Sequence, residues 1–226
     1  MEATVRASDG GFAMFSVTIF LAAAALIVAA TVMGIVSLRQ PDRSVRARAL
    51  VWTAAAIMAA FTVLAGLFVS GYALADPGGP EGIMLVLSWA VALAVLAVLA
   101  WLRPTWATPV LALLTALLVV AGIWFALDSV SWREFENANG PVRAVAVLVL
   151  AFPAAVLGLK RTAAAGWLLL ALGLGPIAFS ALGNLAGVVS LSAVSVIPLI
   201  TGLLYLVAAR MTRAAVSPEH IRAAAA

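Results

Sequence analysis

Long apolar runs free of charge alternate along this chain with short clusters of charged and turn-forming residues. A helix needs about 20 apolar residues to cross a hydrocarbon layer about 30 Å thick, and the runs reach that length. Boundaries set at the clusters give seven spans, residues 13–37, 49–74, 83–102, 106–127, 142–159, 167–187 and 190–209. The pattern predicts an all-α integral membrane protein, a seven-transmembrane-helix bundle forming one polytopic domain over residues 1–226. Of the first five gaps, 39–48, 76–81, 103–104 and 128–140 join charge to helix breakers or capping residues, while Lys160-Arg161 has charge alone.

The final stretch, 167–209, has no charged residue. As one helix its 43 positions would run roughly 64 Å, so it is divided into two crossings with a turn near 187–190. One crossing plus a re-entrant segment is the alternative, and it would send the C-terminus to the other side.

Orientation follows from Lys and Arg in short loops, which favour the cytoplasmic side. With the N-terminus outside, Arg39, Arg43, Arg46, Arg48, Arg103, Lys160, Arg161, Arg210, Arg213 and Arg222 lie inside, ten of the 13 bases, and Arg6, Arg133 and Arg143 stay outside. The acids mirror this, with only Asp42 and Glu219 inside. Seven crossings place the C-terminus in the cytoplasm beside its arginines, whereas six would leave them outside. The first span reads as a retained helix: residues 1–11 carry Glu2 and Asp9 rather than a positive start, and the apolar run ends in arginines rather than at a small-residue cleavage site.

Composition agrees. Hydrophobic residues make up 65% of the 226 and charged residues 10%, with mean hydropathy +1.18, against about 25% charged in an ordinary soluble domain. The net charge of +4 and high pI follow from the inside arginines, and with no soluble basic domain a nucleic-acid partner is not expected. Abundant alanine, and arginine far in excess of the single lysine Lys160, point to a high-GC bacterial genome and so to a multi-pass protein of the bacterial plasma membrane.

Several chemistries are excluded. There is no cysteine, which removes disulfides, thiolate metal sites and Cys nucleophiles, and His220 is the only histidine, so neither a His-ligated zinc nor a bis-His haem can be built from one chain. No ionisable residue sits in the middle of any span, where such groups mark proton relays and ion pathways. A retinal Schiff base needs a lysine in the final helix, and 188–211 has none. The five acids of 76–81 and 128–136 could offer oxygens to Ca²⁺, but their spacing matches no EF-hand. No catalytic, cofactor or metal residue is therefore expected.

The candidate site lies in the last three spans. Pro153, Pro176 and Pro198 fall near their middles, whereas the first four spans carry only Pro109, in a first turn. Each proline frees a carbonyl about one turn earlier, near Val149, Leu172 and Val194, which needs another donor, water or a ligand. Gly173 and Gly175 accompany Pro176, and Thr201 and Gly202 follow Pro198. Helices broken in this way form substrate sites in several transporter folds, yet Pro and Gly are common in membrane helices, and simple kinks are the favoured reading. Ser180 and Asn184 share one face of the sixth span, outward of its midpoint, with Ser195 at similar depth on the seventh. They read as interhelical hydrogen-bond glue, with a small neutral-ligand pocket as the alternative.

The small pairs Ala30/Gly34, Gly66/Ser70 and Gly183/Gly187 argue for close helix packing. Trp52, Trp106 and Trp167 near three helix starts give a weak threefold pattern that the interfacial preference of tryptophan explains without duplication. The arginines of 39–48 could dock a cytoplasmic partner or meet anionic headgroups.

The favoured function is a non-catalytic accessory or regulatory membrane subunit packing within a larger assembly. Its neighbours would be membrane lipids and a membrane-protein partner or a homo-oligomer. The alternative is a transporter or permease component for a neutral or apolar small molecule, built on the broken helices. An intramembrane enzyme is disfavoured, since the spans hold no acid–base group or Cys nucleophile.

Overall fold

The computed structural model describes residues 32, 34–36, 42–75, 78–127, 142–183 and 193–215. Among them all regular structure is helical and there is no strand. Six helices follow in order: α1 (Arg43–Ala75), α2 (Gly79–Leu102), α3 (Pro104–Leu127), α4 (Val142–Gly158), α5 (Thr162–Gly183) and α6 (Ala193–Ala215). Residues 32 and 34–36 are helical as well, at the end of the expected span 13–37, most of which lies outside the described residues.

Among the described residues, four segments are long and apolar enough to cross a membrane: all of α1, all of α2, Pro104–Trp124 of α3 and Val194–Arg213 of α6. Shorter apolar stretches occupy Ala144–Gly158 and Thr162–Ala178. The described residues are all-helical, and the four long apolar segments mark a membrane protein.

Helix α1 starts at Arg43, earlier than the expected 49. Asp42 is its N-cap: its Oδ1 accepts the Ser44 N–H at 2.7 Å and its carbonyl accepts the Arg46 N–H at 3.1 Å. Thus Arg43, Arg46 and Arg48 belong to the first turns of a helix rather than to a loop. At 33 residues α1 is about 50 Å long, and its arginine-bearing end reaches past the hydrocarbon.

The α1–α2 turn requires glycine. Gly78 and Gly79 have φ of 71° and 56°, the left-handed region, and Gly78 N–H reaches back to the Ala73 carbonyl at 3.2 Å. Between α2 and α3 the connection is Arg103 alone. Its N–H closes α2 on the Leu99 carbonyl at 2.8 Å, and its carbonyl accepts the N–H groups of Trp106 and Ala107 at 3.0 and 2.9 Å. Because α3 already begins at Pro104, Pro109 lies inside the helix and not in the first turn expected from the sequence.

Helix α4 is the central post, packing against all five others. Its 17 residues span only about 26 Å, short for lipid, but its neighbours shield it and Val147, Leu148, Leu150, Ala151, Ala154, Ala155 and Leu157 are buried. The outer helices show the opposite pattern. Only Gly82 and Ala100 of α2 are buried, and α3 buries the stripe Ala107, Leu111 and Thr115, spaced four apart, while exposing Leu113, Leu117 and Val120.

The most extensive helix pair is α5 with α6, and it is built on glycine. A Cβ on Gly173 would fall 2.7 Å from the Ser195 carbonyl oxygen, and one on Gly166 would fall 3.1 Å from that of Gly202. In return, a Cβ on Gly202 would meet Gly166 O and Leu170 N at 3.0 Å. The bare backbone lets the two helices touch, the close-packing device of membrane helices. Of the small pairs singled out in the sequence, Gly66 instead receives the indole of Trp89, and Gly34 rests over Thr53. Ala30 and Gly187 lie outside the described residues.

Candidate functional site

Pro153, Pro176 and Pro198 are helix-interior residues of α4, α5 and α6. The first and third are fully buried and Pro176 is half-buried. Beside Pro198, the Thr201 hydroxyl lies 2.9 Å from the Ile197 carbonyl and 3.0 Å from that of Pro198, so its single proton serves carbonyls later in the helix than the expected Val194. Met58 Sδ of α1 stands 4.0 Å from the same hydroxyl, and the Met58 carbonyl accepts the Thr62 hydroxyl at 2.8 Å. Thr201 and Met58 are fully buried.

Tyr205, one turn further along α6, completes this region and was not singled out in the sequence. It is fully buried, and its hydroxyl donates to the Ala155 carbonyl at 2.8 Å. That carbonyl is one of the last four of α4, which have no partner within their own helix. Its neighbours are met by the turn: Val156 O by Leu159 N–H at 3.2 Å, and Leu157 O by the Lys160 and Arg161 N–H groups at 3.0 and 2.7 Å. Tyr205 is therefore a helix cap supplied from 50 residues away. The available sequence signal was its position inside an uncharged span, where a phenol must find a hydrogen-bond partner.

Ser195 is buried on α6, and its carbonyl faces Gly173, which sets it level with Gly173 and not with Ser180, seven residues further along α5. Ser180 belongs to α5, but its side chain and all of Asn184 lie outside the described residues. The structure thus joins Thr201 to Met58 and to the carbonyl of Pro198, and Ser195 to Gly173.

A second region forms where the N-termini of α1, α3 and α5 meet the C-termini of α2, α4 and α6. Lys160 donates to the Trp101 carbonyl at the end of α2, and its ammonium lies 4.8 Å from the Trp101 ring centre. Arg161 reaches the Thr108 hydroxyl at 3.4 Å. A cavity of about 440 Å³ brings Ser44, Ala47, Arg48, Val51 and Trp52 of α1 against Leu159, Thr162 and Thr212. A neighbouring one of about 300 Å³ shares Thr162 and Thr212 and adds Arg161, Arg213 and the first turn of α5. Arg43, Arg46, Arg103 and Arg210 occupy the same helix ends, so the described bases among those assigned to one side by loop counting sit at one end of the bundle, opposite Glu81, while Arg39 and Arg222 lie outside the described residues. Asp42 is held below the usual carboxylate range, chiefly by the Ser44 N–H.

Among the described residues no three His, Asp or Glu side chains come together to hold a metal ion. Comparison with protein-family models, characterised proteins and solved structures finds no match.

Proposed function

We propose that the chain is a non-catalytic accessory or regulatory subunit that packs within a larger membrane assembly, with a membrane-protein partner or a second copy of itself. Supporting this is the way the hydroxyls around the proline-broken helices point back into the bundle's own backbone: Thr62 to Met58 O, Thr201 to Ile197 and Pro198 O, and Tyr205 to Ala155 O. Of these, only the Tyr205 bond ties one helix to another, α6 to α4, while Thr62 and Thr201 bond within their own helices, and all three hydroxyls are thereby occupied by the chain's own backbone. The apolar faces of α2, with Ile83, Met84, Val91 and Val95 exposed, and of α3, with Leu113, Leu117 and Val120 exposed, suit lipid or a neighbouring helix equally.

In this reading the chain crosses a bacterial plasma membrane seven times, N-terminus outside and C-terminus in the cytoplasm. The basic end faces the cytoplasm, as loop arginines favour. The second reading, a permease component for a neutral small molecule, draws on the breaks at Pro153, Pro176 and Pro198 in three consecutive helices. Purification through an affinity tag in mild detergent separates them. A stoichiometric membrane partner or a defined homo-oligomer is expected, while a lone chain enclosing a water-filled path between α4, α5 and α6 would overturn the subunit reading.

A further inference from the structure

The geometry points to a binding site for an anionic phospholipid at the basic end, its phosphodiester on the first turn of α5 between Arg161 and Arg213 and its glycerol and upper acyl chain beside Trp52. The two cavities there meet at Thr162 and Thr212, and they divide by chemistry. The lobe of about 300 Å³ is lined by two arginines, two threonines and Ala163, Ala164 and Ala209. Within α5 the earliest backbone donor described is Ala165, which bonds the Arg161 carbonyl at 3.1 Å, so the N–H groups of Thr162, Ala163 and Ala164 open onto that lobe. Two guanidinium groups over three free N–H groups at the positive end of a helix form a cradle for a phosphate.

The lobe of about 440 Å³ is amphipathic. Ala47, Val51, Leu159 and Trp52 supply apolar wall, and Trp52 is 58% exposed, while Ser44, Arg48, Thr162 and Thr212 supply polar rim. A free phosphate would use only the first lobe, whereas a phospholipid fills both, because its phosphate is continuous with a glycerol and acyl chains that leave along Trp52. Basic pockets between helices at the cytoplasmic interface take anionic headgroups for this reason. Asp42, the only carboxylate described at this end, is turned onto the Ser44 N–H at 2.7 Å, and no carboxylate among the described residues pairs with Arg48, Arg161 or Arg213. Arg48 and Arg213 remain available to an outside anion, and Arg161, which reaches the Thr108 hydroxyl through one nitrogen at 3.4 Å, keeps its other N–H donors for it.

The full chain, delipidated in a neutral detergent, is titrated with short-chain phosphatidylglycerol, phosphatidylcholine or inorganic phosphate. Melting temperature and lipid phosphorus retained after gel filtration are read. Phosphatidylglycerol is expected to raise the melting temperature saturably and co-elute, with phosphatidylcholine and phosphate at least tenfold weaker. Arg213→Gln and Arg161→Gln/Arg213→Gln should weaken phosphatidylglycerol at least tenfold, while Arg103→Gln, outside both lobes, should bind as the unaltered chain does. Equal response to phosphatidylcholine, equal response to inorganic phosphate, or an equal loss in Arg103→Gln would each overturn the site. Gel filtration as a single species checks that each variant folds, and Arg213→Lys, which keeps the charge, should recover part of the binding.

Discussion

Gly158 of α4 lies against the ring of Tyr205 of α6, so close that a Cβ on Gly158 would fall 2.5 Å from both Cε1 and Cζ. The ring cannot swing aside, since it is fully buried and its hydroxyl is held by Ala155. Gly158→Ala must therefore part α4 from α6, at about 1–3 kcal/mol, the ordinary range for overpacking. Unfolding in mixed detergent micelles measures it, and stability equal to that of the unaltered chain would show the contact to be looser than described.

Tyr205→Phe keeps the ring and removes only the donor. The Ala155 carbonyl then loses its partner in a dry environment, with an expected loss of about 0.6–2 kcal/mol, the range for interhelical hydrogen bonds in membranes. Gly158→Ala and Tyr205→Phe touch the same contact, so their double variant should lose less than the sum of the two, a coupling that a double-mutant cycle reads directly.

Glycines of this bundle are not equivalent. Gly173→Ala places a Cβ 2.7 Å from a carbonyl oxygen and 2.9 Å from Leu199 N, backbone that can yield only if α5 and α6 separate. Gly71→Ala meets nothing within 4 Å and should be neutral or stabilising by about 0.5–1 kcal/mol through helix propensity. Melting temperatures that fall for Gly173→Ala and hold or rise for Gly71→Ala are expected, and equal losses would contradict the seam.

Acid should loosen the start of α1. Asp42 has its pKa lowered from 3.8 by the Ser44 N–H, so its charged form is the one the fold favours. That stabilisation is fully present above 3.8 and is lost as pH falls below it through the folded value. Amide exchange at Ser44, taken relative to the intrinsic rate at each pH, should speed up over that interval. In Asp42→Ala it should be fast at every pH, and in Asp42→Asn, which still caps, the acid dependence should vanish.

Sidedness is open to a direct chemical test because the chain contains no cysteine. Asn137→Cys should react with a membrane-impermeant thiol reagent added outside intact cells, with the bases of the opposite end facing in. Labelling only after permeabilisation would reverse the orientation.

The rough limits of the six described helices were legible in the sequence wherever charge interrupts the apolar runs. Thus 83–102 and 142–159 became Gly79–Leu102 and Val142–Gly158, nearly unchanged. The limits shifted where local bonding extends a helix beyond its apolar part. Asp42 caps a turn of arginines onto α1, and Pro104, whose missing N–H is harmless at a helix start, begins α3 ahead of its apolar run. The prolines of the candidate site were visible too, but not their surroundings, because the bond partners of Thr201 and Tyr205 depend on which helix faces which.

By itself, then, the sequence determined an all-helical chain for a membrane and the gathering of its bases toward one side, since transfer free energy and charge placement act residue by residue. Nearly every position in its helices is apolar, so periodicity carries little information about which face turns inward. Only the tertiary structure decided that α4 is the central post, that Gly166, Gly173 and Gly202 form the α5–α6 seam, and that Tyr205 closes the end of a helix 50 residues away. Those choices rest on steric fit and on carbonyls that must find donors in a dry interior, properties of pairs of helices and not of any one segment.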